Sequence, residues 1–224
     1  MAVTAQVISV NVAHVRPNPF KPTDVTGMEK LPVTGPVHVR APGPEGDGRG
    51  SGLVGDTIGD RAHHGGDDQA VYAYAREELD GWHNVLDRAL PDGAFGENLT
   101  TTHLDVSGAK VGERWRIGST LELQVTSPRI PCSTFRGWIG ERGWLKTFAQ
   151  AALPGAYLSV VTPGDVLAGD TVEIAHRPDH DVSVTLMFRA LLLEPELLPS
   201  LLVADDLPEE IRRLAQHWAR RLGR

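Results

Sequence analysis

The chain has 224 residues, 41% of them hydrophobic and 23% charged, which predicts a packed core in one large domain, or in one domain with a small appendage. A formal net charge of −7 argues against a general binder of nucleic-acid backbones. The single cysteine excludes an internal disulfide framework and fits a reducing compartment. Without a cationic leader or a membrane-length apolar run, we expect a soluble cytoplasmic protein.

The N-terminal part of the chain alternates strand-like segments with loops. Apolar and polar residues alternate over residues 6–15, which predicts a first strand, and residues 35–40 suggest a second. Residues 41–52 are rich in glycine and lack periodicity, which predicts a flexible surface loop. Two Gly-Asp pairs follow, Gly55-Asp56 and Gly59-Asp60.

The middle of the chain combines one long predicted helix with several short strands. Apolar residues at three-and-four spacing predict the helix over residues 70–90, and a shorter helix is predicted over residues 143–151. Short strand-like runs separated by glycine and proline predict a barrel or a closed, bent sheet. These runs cover residues 110–116, 120–126, 156–162 and 171–175.

The composition changes near residue 178, after which glycine becomes scarce and three helical pieces follow. We therefore predict a mainly β fold with helices, built from two units. The first is a bent, barrel-like β-domain over residues 1–178. The second is a small C-terminal helical appendage over residues 179–224.

Cys132 is the first candidate functional residue. It follows the strand-like run that ends near residue 126, lies next to Pro131, and has Arg129 three positions upstream. A nearby cation favours the thiolate, which is both the nucleophilic form of cysteine and a soft metal ligand. The alternative is that Cys132 is a small buried hydrophobic residue, as free cysteines often are.

The segment from His63 to Asp68 opens the predicted long helix. Glycines after a histidine let the backbone approach a ligand, and the free N–H groups of a helix start bind anions, so the segment predicts an anion site. Alternatively, Asp67 or Asp68 simply caps the helix. A zinc site formed by His63 and His64 is disfavoured, because adjacent side chains usually diverge and the HExxH spacing is absent.

The segment Phe95-Gly96-Glu97-Asn98 follows the end of the predicted long helix. Gly96 permits a tight turn, while Glu97 and Asn98 offer a carboxylate and an amide suited to the ring nitrogens of a heteroaromatic ligand. An ordinary turn with Asn98 in a left-handed conformation is the alternative.

Taken in order, seven segments of the chain resemble the motifs of the MOSC family, the domain named for the C-terminal part of molybdenum cofactor sulfurases. Any one motif is weak, but the ordered set covers nearly the whole chain and resembles the stand-alone bacterial, YiiM-like branch. One departure is Glu113, at a position where the family usually has aspartate. The segments are Lys30-Leu31-Pro32-Val33, Gly52-Leu53-Val54-Gly55-Asp56, His64 to Val71 with Tyr74, Phe95 to Leu99, Val111-Gly112-Glu113, Pro128 to Cys132, and Pro163 to Val166 with Gly169-Asp170.

The resemblance implies a β-domain that binds molybdenum cofactor, a pterin dithiolene carrying Mo, with Cys132 as the protein ligand to the metal. It implies catalytic roles for Cys132, His64 and Arg129. Relatives in this branch reduce N-hydroxylated substrates to amines. We therefore expect a small-molecule substrate and a separate electron-donor redox protein, no nucleic-acid or membrane partner, and room for a homodimer. The implied cofactor-binding residues are Lys30, His64, Asp68, Asn98, Arg129 and Cys132.

Two other functions fit the same residues. In the first, the protein carries sulfur or molybdenum cofactor to another enzyme, with a persulfide on Cys132. In the second, it is a lyase or transferase that acts on a sulfur-containing metabolite in the same pocket without Mo. A reductase needs bound Mo and an electron donor, whereas a carrier needs a partner protein and no substrate pocket.

Overall fold

The computed structural model describes residues 4–223. It contains six α-helices and two 3-10 helices, Asp67–Gln69 and Pro195–Val203. The strands are β1 (Gln6–Ala13), β2 (Arg16–Pro17), β3 (Val25–Thr26), β4 (Lys30–Pro32), β5 (Val37–Val39), β6 (Val71–Ala75), β7 (Leu99–Thr102), β8 (Arg114–Ile117), β9 (Leu121–Pro128), β10 (Ala156–Thr162), β11 (Gly164–Val166) and β12 (Val172–His176). The α-helices are α1 (Arg76–Gly81), α2 (His83–Leu86), α3 (Ser133–Ile139), α4 (Trp144–Ala151), α5 (Val184–Leu192) and α6 (Glu209–Leu222).

Eight strands form one large sheet in the order β12-β8-β9-β10-β6-β7-β1-β4. All neighbours are antiparallel except β6 and β7, which are parallel. The sheet curls until Gln6, at the start of β1, bridges Thr171 just before β12, and the Val172 amide donates to the Ala5 carbonyl at 2.9 Å. The predicted bent β-domain is thus confirmed, although across residues 4–223 the strands do not close into a barrel.

The single long helix predicted over residues 70–90 is wrong: its first part is a strand, and its second part is divided into α1 and α2, which end at Leu86. Residues 71–75 form strand β6, and a helix begins only at Arg76. The cause is burial on both faces: Val71 and Ala73 belong to the apolar core of the sheet, while Tyr72 belongs to an aromatic cluster on the other side. A strand buried on both faces is apolar at every position, which helical periodicity also allows.

The other predicted elements agree with the structure to within a few residues. The first strand ends at Ala13, the helix predicted over residues 143–151 is α4, and β8 begins at Arg114, four residues later than expected. Of the three C-terminal pieces, the middle one is a 3-10 helix with Pro199 inside it. These pieces share an apolar cluster with Val111. The division at residue 178 stays a prediction.

An aromatic cluster fills the space between the outer face of β6 and helices α1 to α4. Phe95 is at its centre, with its ring centroid 5.1–6.1 Å from those of five other aromatic residues. Trp82 and Phe148 stack with centroids 5.8 Å apart. Because Arg129 also packs on Phe135 from this cluster, the cluster supports one wall of the cleft described below.

Within the described residues, no helix has the length and apolar character needed to cross a membrane.

Replacing Phe148 with alanine should leave a cavity in this cluster. We expect Phe148→Ala to lower the free energy of unfolding by about 3–5 kcal/mol, measured by urea denaturation with tryptophan fluorescence. The matched control is Val203→Ala at a side chain that is 64% exposed, which should cost less than about 1 kcal/mol. Equal losses in the two variants would contradict the assigned packing.

Candidate active site

Cys132 lines a cleft beside the end of β9. Pro128 ends that strand, and Cys132 has an extended backbone immediately before α3. The cavity within this cleft has a volume of about 90 Å³. Its walls come from the segments around β3 and β4, from residues 57–64, from Gly96, from residues 129–134 and from Tyr157.

Arg129 forms a buried, rigid wall of this cleft. Its guanidinium donates from Nη1 to the Phe95 carbonyl and from Nη2 to the Met28 sulfur at 3.1 Å, and it stacks 4.3 Å from the centroid of the Phe135 ring. The residue is 6% exposed, and its Nε is buried without a hydrogen-bond partner in the described part of the chain. An unpaired buried donor on a cation is costly unless a ligand accepts from it.

The thiol of Cys132 is activated by its surroundings. Burial, the largest single effect, disfavours the thiolate, but the nearby His64 side chain and the charge of Arg129 act in the opposite direction. The backbone amide of Phe135 acts in the same direction, and together these groups lower the pKa of Cys132 to about 6. The thiolate therefore dominates at neutral pH.

Lys30 is the second cation of the cleft, and it is paired with Asp56. Its Nζ lies 2.6 Å from both Asp56 carboxylate oxygens. The same carboxylate accepts hydrogen bonds from Ser51 Oγ at 2.7 Å, Asn98 Nδ2 at 2.9 Å and the Ala13 amide at 2.8 Å. Burial opposes ionisation of Asp56, but the Lys30 charge and these donors lower its pKa below the ordinary value.

Glu97 and Asn98 do not line the cleft, in contrast to the expectation that they face a ligand. Asn98 accepts from the Tyr72 amide at 3.1 Å and donates to Asp56, so it lies behind Lys30. Glu97 accepts from the Gly93 and Phe95 amides at 2.6 and 2.9 Å. Burial raises the pKa of Glu97 to about 7, against the opposing effect of these donors.

The turn around Glu97 is shaped by glycine and not by a left-handed asparagine. Gly96 has φ +75°, and Asn98 is not among the residues with positive φ. A side chain at Gly96 would press against the Met28 sulfur and approach Arg129. The turn thus fixes the Phe95 carbonyl that holds Arg129 and the Asn98 amide that holds Asp56.

The structure separates Asp68 from the other predicted site residues. Asp68 is exposed and lines a second cavity of about 520 Å³, which meets the cleft only at Ile130. No long helix begins at this segment, because Asp67–Gln69 is a short 3-10 helix that leads into strand β6, and the anion site expected here stays a prediction. Gly65 has φ +84°, and a side chain at this position would collide with the Gly50 backbone. Contact with the neighbouring loop therefore explains why residue 65 is a glycine. Neither Asp67 nor Asp68 caps a helix with its side chain.

Three functional candidates, Asp56, Met28 and Tyr157, were not among the residues predicted from the sequence. Asp56 belongs to a Gly-Asp pair, and a second such pair supplies Asp60, which lines the cleft. Asp60 is paired with Lys21 and His63, and these contacts lower its pKa to about 2 despite the opposing effect of burial. The repeated Gly-Asp pairs were the available signal. Met28 and Tyr157 had none, since their places depend on how distant strands meet.

The fold and the site together define a class of protein. Its members have a bent sheet and a cleft in which one low-pKa thiolate lies beside a buried arginine. The sequence profile of the MOSC domain matches residues 60–173. The chain belongs to the MOSC domain family.

The relatives fit this assignment. The chain is 31% identical to the uncharacterized protein YflK of Bacillus subtilis over 71% of its own length and 67% of that protein. It is 33% identical to protein YiiM of Escherichia coli, covering 59% of the chain and 60% of YiiM. It is 29% identical to a protein of Gibberella moniliformis named reductase, over 90% of this chain but only 35% of that protein. The crystal structure of YiiM from Geobacillus stearothermophilus shares the fold, with a TM-score of 0.74, 23% identity and coverage of 96% and 98% of the two chains.

The assigned thiol pKa predicts the pH dependence of alkylation. The rate of Cys132 modification by iodoacetamide should fall by half as the pH drops to about 6, because the thiolate is lost below its pKa. In His64→Ala the midpoint should move toward the ordinary cysteine value, about 8.5. The Cys132→Ser variant, which lacks the thiol, gives the background rate of modification. A wild-type midpoint of about 8.5 would contradict the assignment.

Proposed function

We propose that this protein binds molybdenum cofactor in the Cys132 cleft and reduces N-hydroxylated compounds to amines. The observation that carries the proposal is the Cys132 thiolate next to Arg129, a buried cation whose Nε has no hydrogen-bond partner within residues 4–223. Membership of the MOSC family supports cofactor binding, and the homologue named reductase supports redox chemistry. The reaction itself is our inference.

The residues of the cleft fit this cofactor. Among residues 4–223, no group of three or more His, Cys, Asp or Glu side chains could hold a metal ion. Cys132 can therefore offer one soft ligand, which suits a metal whose remaining ligands come from a dithiolene. The free Nε of Arg129 and the ammonium of Lys30 would hold the anionic parts of the same group.

The reaction consumes two electrons and two protons: R–NHOH + 2 e⁻ + 2 H⁺ gives R–NH₂ + H₂O. Acceptance of the oxygen atom and two-electron exchange are the chemistry that bound molybdenum cofactor supplies. The electrons come from a separate redox protein. The N–O bond breaks, and its oxygen leaves as water after taking up protons.

The protein's own residues bind, orient and protonate. His64 lines the cleft close to the Cys132 thiol, so it can donate a proton next to the reacting oxygen. The Arg129 guanidinium is fixed by Phe95 and Phe135 and cannot swing out of the cleft. A fixed cation needs no reorganisation when negative charge develops beside it.

The first test is metal and pterin content after expression in a host that makes the cofactor. Wild-type protein should contain Mo and oxidisable fluorescent pterin in stoichiometric amounts, whereas Cys132→Ala should lose the metal because its soft ligand is gone. With reduced methyl viologen as electron donor, only the wild type should convert N-hydroxylated bases. Wild-type protein without Mo would overturn the proposal and favour a persulfide carrier or a Mo-free lyase.

A second test asks which cavity holds the cofactor. Arg129→Lys keeps the charge but removes the planar guanidinium, and the loss of a charged hydrogen bond should lower cofactor occupancy by about tenfold or more under limiting cofactor. Asp68→Asn is the matched variant in the second cavity and should keep wild-type pterin content. Thermal unfolding verifies that both variants are folded. Loss of pterin from Asp68→Asn alone would place the cofactor in the second cavity.

A further inference from the structure

Lys30 carries an ammonium group in a buried position, where a charge is costly. It lines the cleft, yet its side chain is only 5% exposed, and burial lowers the pKa of Lys30. The other charged groups that act on it are Asp56 and Glu97, which favour the ammonium, and Arg129, which disfavours it. A neutral amine would not attract an anion. Lys30 can therefore bind an anion only if another group stabilises its ammonium in this buried position.

Asp56 supplies that compensation from a fixed position. Its side chain is 0% exposed, and its donors come from β1, β4, the loop before it and the turn before β7. A carboxylate held by so many donors stays ionised and cannot rotate. Asp56 does not line the cleft, so it cannot touch a ligand there and acts only through Lys30.

The Lys30 ammonium has a hydrogen left for a ligand. Two of its three N–H groups are needed to reach both Asp56 oxygens, and within residues 4–223 Nζ makes no other hydrogen bond. We propose that Asp56 is a positioning residue that keeps Lys30 charged and oriented toward an anionic group in the Cys132 cleft. The nature of that anion rests on the proposed function, whereas the role of Asp56 does not.

Lysine side-chain NMR tests this role directly, because the chain has four lysines, Lys21, Lys30, Lys110 and Lys146. Protein labelled with [¹³Cε]lysine and prepared without cofactor is titrated with base, and the Lys30 signal is identified by its absence in Lys30→Met. We expect Lys30 to lose its proton at lower pH in Asp56→Asn than in wild type, since the buried ammonium has lost its counter-charge. An unchanged Lys30 titration would overturn the proposal.

Asp60→Asn is the matched control. Asp60 also lines the cleft but pairs with Lys21, whose side chain is 27% exposed and can be stabilised by water. This variant should leave the Lys30 titration at its wild-type midpoint. An equal shift of Lys30 in both variants would mean that any nearby carboxylate suffices, and would overturn the specific role of Asp56.

A folding failure of Asp56→Asn is also informative. If the uncompensated ammonium is the cause, Lys30→Met combined with Asp56→Asn should fold, as judged by circular dichroism and thermal unfolding. If the double variant is also unfolded, Asp56 has a structural role independent of Lys30 and the proposal fails. Because these measurements need no metal, absence of Mo from the wild type would overturn the proposed function without affecting them.

Discussion

Two buried cations at one cleft are the constraint on which this part of the molecule depends. An ammonium or guanidinium removed from water costs several kcal/mol of free energy unless other groups replace its solvent. Lys30 meets this need with a carboxylate, whereas Arg129 relies on a carbonyl, a sulfur and aromatic faces. The second solution leaves the Arg129 Nε without a hydrogen-bond partner among residues 4–223, so the fold itself carries the cost of that buried donor.

The turn from residue 93 to residue 98 connects these two cations. The Glu97 carboxylate accepts hydrogen bonds from the Gly93 and Phe95 amides of this turn. The Phe95 carbonyl accepts from Arg129, and the Asn98 side-chain amide donates to Asp56. The parallel pairing of β6 with β7 fixes the end of this turn against the sheet. The thiolate is then placed by a different element, the end of β9. The cleft thus joins segments that the sheet brings together, and its geometry follows from the strand order.

Much of the fold was predictable because strand alternation and glycine or proline breaks are local signals. The long helix was mispredicted at β6, since burial on both faces hides the twofold pattern. The thiol and its arginine were also predictable, because they are three residues apart and proline shapes the segment between them. Asp56 and the separation of Asp68 from the cleft were not. Both depend on contacts between residues distant in sequence. The Gly55-Asp56 pair marks Asp56 as a candidate, but it does not indicate which residues the carboxylate contacts.

The wide sequence separations within the cleft also bear on the order of events during folding. Asp56 is joined to Ala13 across 43 positions and to Asn98 across 42, and Arg129 reaches Phe95 across 34. Closing such loops costs chain entropy before any contact compensates for it, so these contacts form late. The thiol therefore keeps an ordinary, weakly reactive state in a nascent or partly folded chain. Only the folded chain brings His64 to the thiol, so the low pKa of Cys132 is a property of the complete fold.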